Sequence, residues 1–391
     1  MTDPRLDRRF PDAAAMEAAA LRRMPGFIRG YVEGGIGPED GLARNIADLR
    51  AVRLMPHYLV DDVVPDTRVT VGGTIWSAPF AVAPLGLGGL IWPGCEPVIA
   101  RAAAAAGVGH VLSTYATSGV GKIGPIAGPG GWFQLYPPAD PGMEADMIAR
   151  ARAAGYAGIV VTIDIPGATR RRRDMQSGLV VPPRIGPRML AQIARRPAWA
   201  LGMARRGIPV FENFAPYYPK NGGLDAAADF IGRMMTGHIT PDRLARIRAA
   251  WPGKLIVKGV LSAADADLAL SLGADGIVVS NHGARQLDAA PTAPQVLPGL
   301  RARLGEGVLI LADGGVRSGL DIARMLALGA DAVLVGRPFL HAAAALGARG
   351  PAHLIGVLRA ELETTMAQLG CPQLSDLRGC LWQGDPDGAS G

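Results

Sequence analysis

The stretch SNHGARQLD, residues 280–288, sets a histidine, an arginine and an aspartate close together directly after the apolar run ADGIVV. The chain has only six histidines, so the placement of His282 is notable. An imidazole titrates near neutrality and can accept or give a proton in the physiological range. Arg285 offers a planar fork of donors suited to a carboxylate or a phosphate. A histidine held by hydrogen bonds for structural reasons alone is the competing reading. Two further charged residues also end apolar runs: Lys258 in KLIVKG (254–259) and Asp164 in GIVVTID (158–164).

These residues share a kind of position, which points to the elements that must hold them. Apolar runs stopping at a polar or glycine-rich step recur eight times. They are PFAVAP (79–84), GHVLST (109–114), GWFQLY (131–136), GIVVTID (158–164), KLIVKG (254–259), GIVVSN (276–281), VLILAD (308–313) and AVLVGR (332–337). Most lack alternation, as expected of parallel strands covered on both faces. Alanine-rich segments at helical spacing lie between most of them, such as EADMIARARAAG (144–155) and SGLDIARMLALG (318–329). Several end in glycine followed by Ala or Val, a helix cap stepping into the next strand. Eight β-then-α units predict a (β/α)8 barrel. A doubly wound sheet is the alternative, but GLGG at 86–89 does not match the G-x-G-x-x-G that should follow its first strand.

In such a barrel the chemistry sits at the C-terminal ends of the strands. Those ends carry Ser113, Gln134, Tyr136, Thr162, Asp164, Lys258, Ser280, His282, Asp313, Gly336 and Arg337. Nearness to water accounts for some of this polarity, but not for Lys258 and Asp164 closing otherwise apolar runs. ADGGVRSG (312–319) and LVGRP (334–338) close the last two strands, where barrels often bind phosphate through glycine N–H groups. Gly314, Gly315, Arg317, Gly336 and Arg337 are therefore candidates to hold a phosphorylated cofactor.

Composition bounds the remaining classes. The chain has 391 residues, 49% hydrophobic and 19% charged, which is ample for a single large domain. Its formal charge of +6 is mildly basic. Cys95, Cys371 and Cys380 lack metal-binding spacing and cannot all pair, which fits free thiols in a reducing compartment, and no metal is expected. The N-terminal MTDPRLDRRFPD lacks the apolar stretch of a signal peptide, and no window offers about 18 uninterrupted apolar residues. A cytoplasmic protein, either soluble or peripheral on the inner face of the cytoplasmic membrane, is expected.

SNHGARQLD, WFQLY (132–136), VTIDIP (161–166), IVKG (256–259), ADGGVRSG, LVGRP and FIRGYVEGG (27–35) together resemble the FMN-dependent L-2-hydroxyacid oxidases and dehydrogenases. The motifs fall in the family's order over roughly residues 20 to 380. PLGLGGLIWP (84–93) and RRPAWALGMARRGIP (195–209) look most like its (S)-mandelate dehydrogenase and bacterial L-lactate dehydrogenase branch. The resemblance implies FMN as cofactor, a small 2-hydroxy acid as substrate, a quinone or similar electron acceptor, and a homotetramer. It implies His282 as the base, Asp164 as the carboxylate that orients it, and Arg171 and Arg285 as the pair that grips the substrate carboxylate. Tyr31 and Tyr136 match hydroxyls on the substrate, and Tyr115 shapes the substrate side-chain pocket. Lys258 matches the cation beside the flavin edge where negative charge accumulates on reduction. Ser113, Gln134, Thr162 and Ser280 match partners of the isoalloxazine ring, with Pro84, Leu85 and Gly86 along its other side. Loss of the Cα hydrogen as a proton or as a hydride is left open.

ATRRRRD (168–174) departs from the family by offering four arginines. Arg171 is the best register because Asp174 then falls on the family's aspartate; a slip of one within Arg170–Arg173 is the alternative. Gly86 favours a dehydrogenase, since alanine stands there in several oxidases. From Met175 to Phe211 there is no acidic residue, while Arg184, Arg188, Arg195, Arg196, Arg205 and Arg206 alternate with Ile185, Met189, Ile193, Trp199, Leu201 and Met203. A basic amphipathic segment of this kind suits an anionic bilayer surface. A short helix packed on the barrel is the plainer reading, and nucleic acid fits poorly. A basic insertion over 175–230 after the fourth strand, an N-terminal helical extension and a disordered tail over 384–391 are expected within one domain.

Three functions remain open on sequence: FMN-dependent oxidation of an L-2-hydroxy acid with transfer of electrons to an acceptor such as quinone, or the same oxidation by a soluble enzyme that makes hydrogen peroxide; a phosphate-binding barrel without redox chemistry, in which Lys258 is a Schiff-base candidate; and a membrane-surface binding module that has lost activity.

Overall fold

In the computed structural model each of the eight apolar runs becomes a strand. The structure describes residues 3–167, 169–177, 186–218, 230, 232, 238–382 and 384. A hairpin of β1 (Val69–Val71) and β2 (Thr74–Trp76) precedes β3 (Phe80–Val82), β4 (Gly109–Ser113), β5 (Gly131–Leu135), β6 (Gly158–Thr162), β7 (Lys254–Val260), β8 (Gly276–Val279), β9 (Leu309–Ala312) and β10 (Ala332–Val335). β3 to β10 pair in sequence order with parallel ladders, and Val333–Val335 closes the ring against Phe80–Val82. The expected (β/α)8 barrel is the observed fold.

Burial explains why the runs do not alternate. Ala81, Val111, Val160, Ile256, Val278, Leu311 and Leu334 fill the barrel interior with Trp76 and Trp132. Their neighbours Val82, Leu112, Val161, Val257, Ile277, Val279, Ile310 and Val333 pack outward against the helices. Both faces are dry, so both need apolar side chains. The hairpin was not among the runs read from sequence, although VTVGGTIW carries its alternation and its Gly-Gly turn. It sits at the N-terminal end of the barrel, where Trp76 packs on Trp132 at 5.7 Å between ring centroids.

Polar residues at helix starts set where the helices begin. Asp140, Thr240, Ser262 and Ser318 each accept a hydrogen bond from the backbone N–H three residues on. The N-terminal extension forms helices Pro4–Arg9, Ala13–Arg23, Gly26–Glu33 and Asp40–Ala51. Helix Ala13–Arg23 lies along helix Arg337–Leu346, which follows β10. Gly26–Glu33 packs on helix Arg172–Ser177, bringing the extension over the mouth of the barrel. All three cysteines are buried and unbridged, with the Cys371 and Cys380 sulfurs 3.3 Å apart.

The insertion after β6 supplies helices Arg172–Ser177, Pro187–Ala194 and Pro197–Arg206 and a 3-10 turn, Glu212–Tyr217. Its apolar residues divide differently from the sequence reading. Met189 and Trp199 are buried, and Ile193 and Met203 pack against the core. The Trp199 indole N–H donates to the Leu90 carbonyl at 3.0 Å, and the ring meets Phe27 edge-on. Beyond helix Arg172–Ser177, the exposed large apolar side chains among the described residues are Leu190, Leu201, Ile208 and Val210, beside exposed Arg188, Arg195, Arg205 and Arg206. Arg184 and Ile185 lie outside the described residues, as does the expected tail apart from Gly384. No helix among the described residues is long and apolar enough to cross a membrane.

Candidate active site

The site is built where strands end and their chains turn over the barrel mouth. After β8 the backbone takes a left-handed path through His282, Gly283 and Ala284 (φ 58°, 60° and 59°). Left-handed geometry is uncommon for residues with a side chain, and it clusters where surrounding structure enforces it. Here the His282 N–H donates to Ser280 Oγ at 3.0 Å, and Ala284 N–H is bonded to Asn281. The turn fixes the imidazole between two side chains. Nδ1 lies 2.9 Å from Asp164 Oδ1, and Nε2 lies 3.1 Å from Tyr136 Oη.

Those partners determine the proton arrangement. An ionised carboxylate only accepts, so Nδ1 carries the hydrogen and Nε2 presents a lone pair that receives the Tyr136 hydroxyl. Burial pushes the Asp164 carboxyl up, but the charge and hydrogen bond of His282, with Lys258 nearby, outweigh it and hold the group below the usual range. Burial, with Asp164 beside it, pushes the Tyr136 phenol well above its ordinary value. Among the described residues, Asp164 Oδ2 is buried without a hydrogen-bond partner. The carboxylate sits in space left by Gly259, where the β7–β8 register shifts between Lys258 and Val260.

Opposite this relay stand two cations around one ring. Arg285 lies over Tyr31 at 4.8 Å from the ring centroid and Arg171 at 5.9 Å. Arg285 donates to the carbonyls of Tyr31 and Gly34, both at 2.8 Å. Burial and then Arg171 push its guanidinium below the usual range, against the opposing charge of Asp174. Arg171 is paired with Asp174 at 3.2 Å and half-buried, whereas Arg170, Arg172 and Arg173 are exposed and Arg173 reaches Glu39. Of the four arginines in the run, Arg171 is the one turned inward.

The floor carries an ordered set of polar groups. Ser113 Oγ donates to Gln134 Oε1 (3.1 Å), and Gln134 Nε2 donates to Thr162 Oγ1 (3.0 Å). Lys258 Nζ donates to Ser280 Oγ at 2.7 Å and lies 3.1 Å from Asp313 Oδ2. Pro84, Leu85 and Gly86 follow β3; a Cβ on Gly86 would stand 3.5 Å from Tyr115 Cβ and 3.8 Å from Tyr31 Oη.

At the far end Gly314 and Gly315 have positive φ, and a side chain on Gly315 would strike the Asn45 carbonyl at 2.5 Å. Arg317 and Arg337 face this end with guanidinium groups bonded, among the described residues, only to carbonyls: Val316 for Arg317, and Val32, Gly34 and Gly283 for Arg337. Burial, then Arg285 and Arg317, push Arg337 down to about 9. Two half-buried cations without a carboxylate partner among the described residues, beside glycine N–H groups, suit a phosphate dianion. The polar floor and Lys258 suit the heteroatom edge of a flavin, so the donor set fits FMN.

Sequence reading missed two groups. Asn45 and Asn281 exchange amide hydrogen bonds at 3.0 and 2.8 Å, tying helix Asp40–Ala51 to the His282 turn. Phe211 and Phe214 close an aromatic wall on Tyr115, with centroids 5.6 and 5.3 Å away, while Tyr136 lies 5.3 Å on its other side. The only sequence signal was the aromatic cluster FENFAPYY (211–218) at the end of the basic segment.

Comparison with known proteins places this geometry among relatives. The profile of FMN-dependent dehydrogenases matches residues 20–383. An L-lactate dehydrogenase of Caulobacter vibrioides is 41% identical over 360 residues, covering 92% of this chain and 94% of the relative. One from Alcaligenes faecalis is 36% identical over 369 residues, covering 94% and 97%. The crystal structure of the monotopic membrane protein (S)-mandelate dehydrogenase superposes with a TM-score of 0.90 at 34% identity, covering 95% of this chain and 99% of that one. A mandelate oxidase bound to (S)-2-phenylpropionate gives 0.77 at 32% identity, covering 94% and 97%.

Proposed function

The chain belongs to the FMN-dependent dehydrogenase family, and we propose that it oxidises an L-2-hydroxy acid of the lactate or mandelate kind to the 2-oxo acid at the membrane surface, passing the electrons to a quinone. It is an FMN-dependent oxidoreductase acting on a CH–OH group, with electrons leaving to an external acceptor. Bound FMN supplies the two-electron sink; the chain's own residues supply binding and proton transfer.

The observation that carries the assignment is the Asp164–His282–Tyr136 relay facing the Arg171–Arg285 pair across Tyr31. Arg171 and Arg285 hold the substrate carboxylate, since their forks match its geometry and Arg285 has only carbonyl partners among the described residues. That grip sets the α-hydroxyl within reach of His282 Nε2, which takes the hydroxyl proton in place of the Tyr136 hydrogen bond. Asp164 keeps Nδ1 protonated and stabilises the imidazolium that results. Tyr31 and Tyr136 donate to the substrate oxygens, and Tyr115 with Phe211 walls the side-chain pocket. Ser113, Gln134, Thr162, Lys258 and Ser280 hold the flavin ring, while Asp313 fixes Lys258 and Ser280. Gly314, Gly315, Arg317, Gly336 and Arg337 hold the phosphate, and Pro84, Leu85 and Gly86 flank the ring.

Exposed Leu190, Leu201, Ile208 and Val210 beside four exposed arginines support a surface that rests on anionic lipid. The test is anaerobic mixing of the purified yellow protein with L-lactate and with (S)-mandelate. Bleaching of the flavin, followed by rapid reoxidation with a quinone analogue, supports the reading. Fast stoichiometric peroxide formation in air with no vesicle binding identifies a soluble oxidase instead.

A further inference from the structure

One helical turn behind Arg337 stands a histidine that the chemistry above does not use. His341 is 1% exposed, and neither of its ring nitrogens has a hydrogen-bond partner among the described residues. Buried polar groups are nearly always satisfied, so an imidazole with two empty nitrogens asks for an explanation. Its spacing of four residues from Arg337 puts both on one face of helix Arg337–Leu346. Glu17, on the helix packed along it, brings Oε2 to 4.0 Å from Nδ1.

The charges around it are few. Glu17 comes from helix Ala13–Arg23, Arg337 from its own helix and Arg317 from the loop after β9. Arg23, also on Ala13–Arg23, is turned away to the Ala345 carbonyl and the Trp92 ring. On helix Gly350–Leu369, His353 is bonded to the Phe10 carbonyl and lies near Asp7. On helix Cys95–Ala106, Glu96 is bonded to Thr117. Two arginines against one glutamate leave a net positive surrounding, and burial together with Arg317 and Arg337 pushes the imidazole down to about 3. A phosphate dianion on the two arginines reverses that balance, because Glu17 and the phosphate then outweigh them by one charge.

We propose that His341 takes up a proton from solvent when the FMN phosphate occupies the Arg317–Arg337 seat, with Glu17 as the partner of the imidazolium, so that retention of the cofactor is linked to pH. The proposal rests on the assignment of those two arginines to the phosphate. By linkage, a group that is neutral in the free protein and protonated in the complex favours binding at low pH. That contribution is lost as pH rises through its value in the complex, by up to about tenfold per pH unit. The second ionisation of a phosphate monoester near ~6 acts in the opposite direction, so the window to examine runs from about pH 7 to about pH 9.

Release of FMN from the holoenzyme on dilution, followed by flavin fluorescence across that window, tests this without reference to turnover. Wild-type protein is expected to lose FMN more readily as pH rises. His341→Phe and His341→Gln are expected to flatten the dependence, and Glu17→Gln to move it to lower pH. A flat wild-type profile overturns the proposal whether or not the variants fold, and so does an unchanged slope in both histidine variants. Arg337→Gln separates the two layers. If it leaves FMN retention intact, the phosphate seat lies elsewhere and the proposal falls with it. If it weakens retention while the histidine variants keep the wild-type slope, only the role of His341 is wrong.

Discussion

A Cβ placed on Gly259 would lie 2.6 Å from Cγ of Asp164. The glycine of the β7 bulge and the carboxylate that orients His282 therefore occupy complementary space. Gly259 also has φ 100°, which side chains rarely tolerate. Gly259→Ala is expected to displace Asp164 and tilt the imidazole. A misplacement of roughly 1 Å costs on the order of 10²-fold in rate. Stopped-flow flavin reduction should show that loss with FMN content unchanged; a normal rate would mean that the carboxylate position does not matter.

His282→Ala removes the proton acceptor but none of the proposed flavin contacts. FMN content should remain stoichiometric while turnover falls about 10²–10⁴-fold or more. Asp164→Asn should also slow reduction, because an amide no longer stabilises the imidazolium. Loss of FMN with normal activity per bound flavin would refute the assignment of His282 as base.

The arginine run gives a positional test. Arg285→Lys should raise KM and slow flavin reduction, because an ammonium cannot reproduce the fork. Arg171→Ala should do the same, whereas Arg172→Ala, at an exposed position, should change little. Equal damage from Arg171→Ala and Arg172→Ala would show that the inward-facing guanidinium is not the substrate ligand.

The Tyr136 hydroxyl should put no alkaline limb on the pH profile of flavin reduction. Burial and Asp164 hold the Tyr136 phenol well above its ordinary value, so this hydroxyl stays protonated through the alkaline range. Tyr136→Phe is expected to lower the rate without altering the alkaline side of the profile. An alkaline limb abolished by that substitution would count against the arrangement.

The insertion invites a finer experiment than deletion. Trp199 and Met189 are buried, so removing their helices would expose Phe27 and Leu90 on the barrel side. Replacing Leu190, Leu201 and Ile208 by glutamine should release the protein from anionic vesicles and leave flavin reduction intact. Trp199→Ala should instead destabilise the fold by about 3–5 kcal/mol, as for other buried aromatics. Unchanged vesicle co-sedimentation in the triple variant would place the lipid contact elsewhere.

The sequence by itself determined the barrel and the rim. Runs such as GIVVTID and KLIVKG are apolar on both faces, and such runs alternating with helical segments have few packing solutions. The polar residue that ends each run is then carried to the mouth, which is why Lys258, Asp164 and His282 could be read as one site. Strand and helix periodicity is local, and the features missed are not. The choice of Arg171 depends on Tyr31, whose helix precedes it by some 140 positions in the chain. The space for Asp164 depends on a glycine from the neighbouring strand, and the wall behind Tyr115 on Phe211 and Phe214 from the insertion. The apolar face of the basic segment divides between Trp199, which the barrel buries, and Leu201, which it does not. Closure of the barrel and docking of the N-terminal helices decide these contacts, and they are invisible until the distant partners meet.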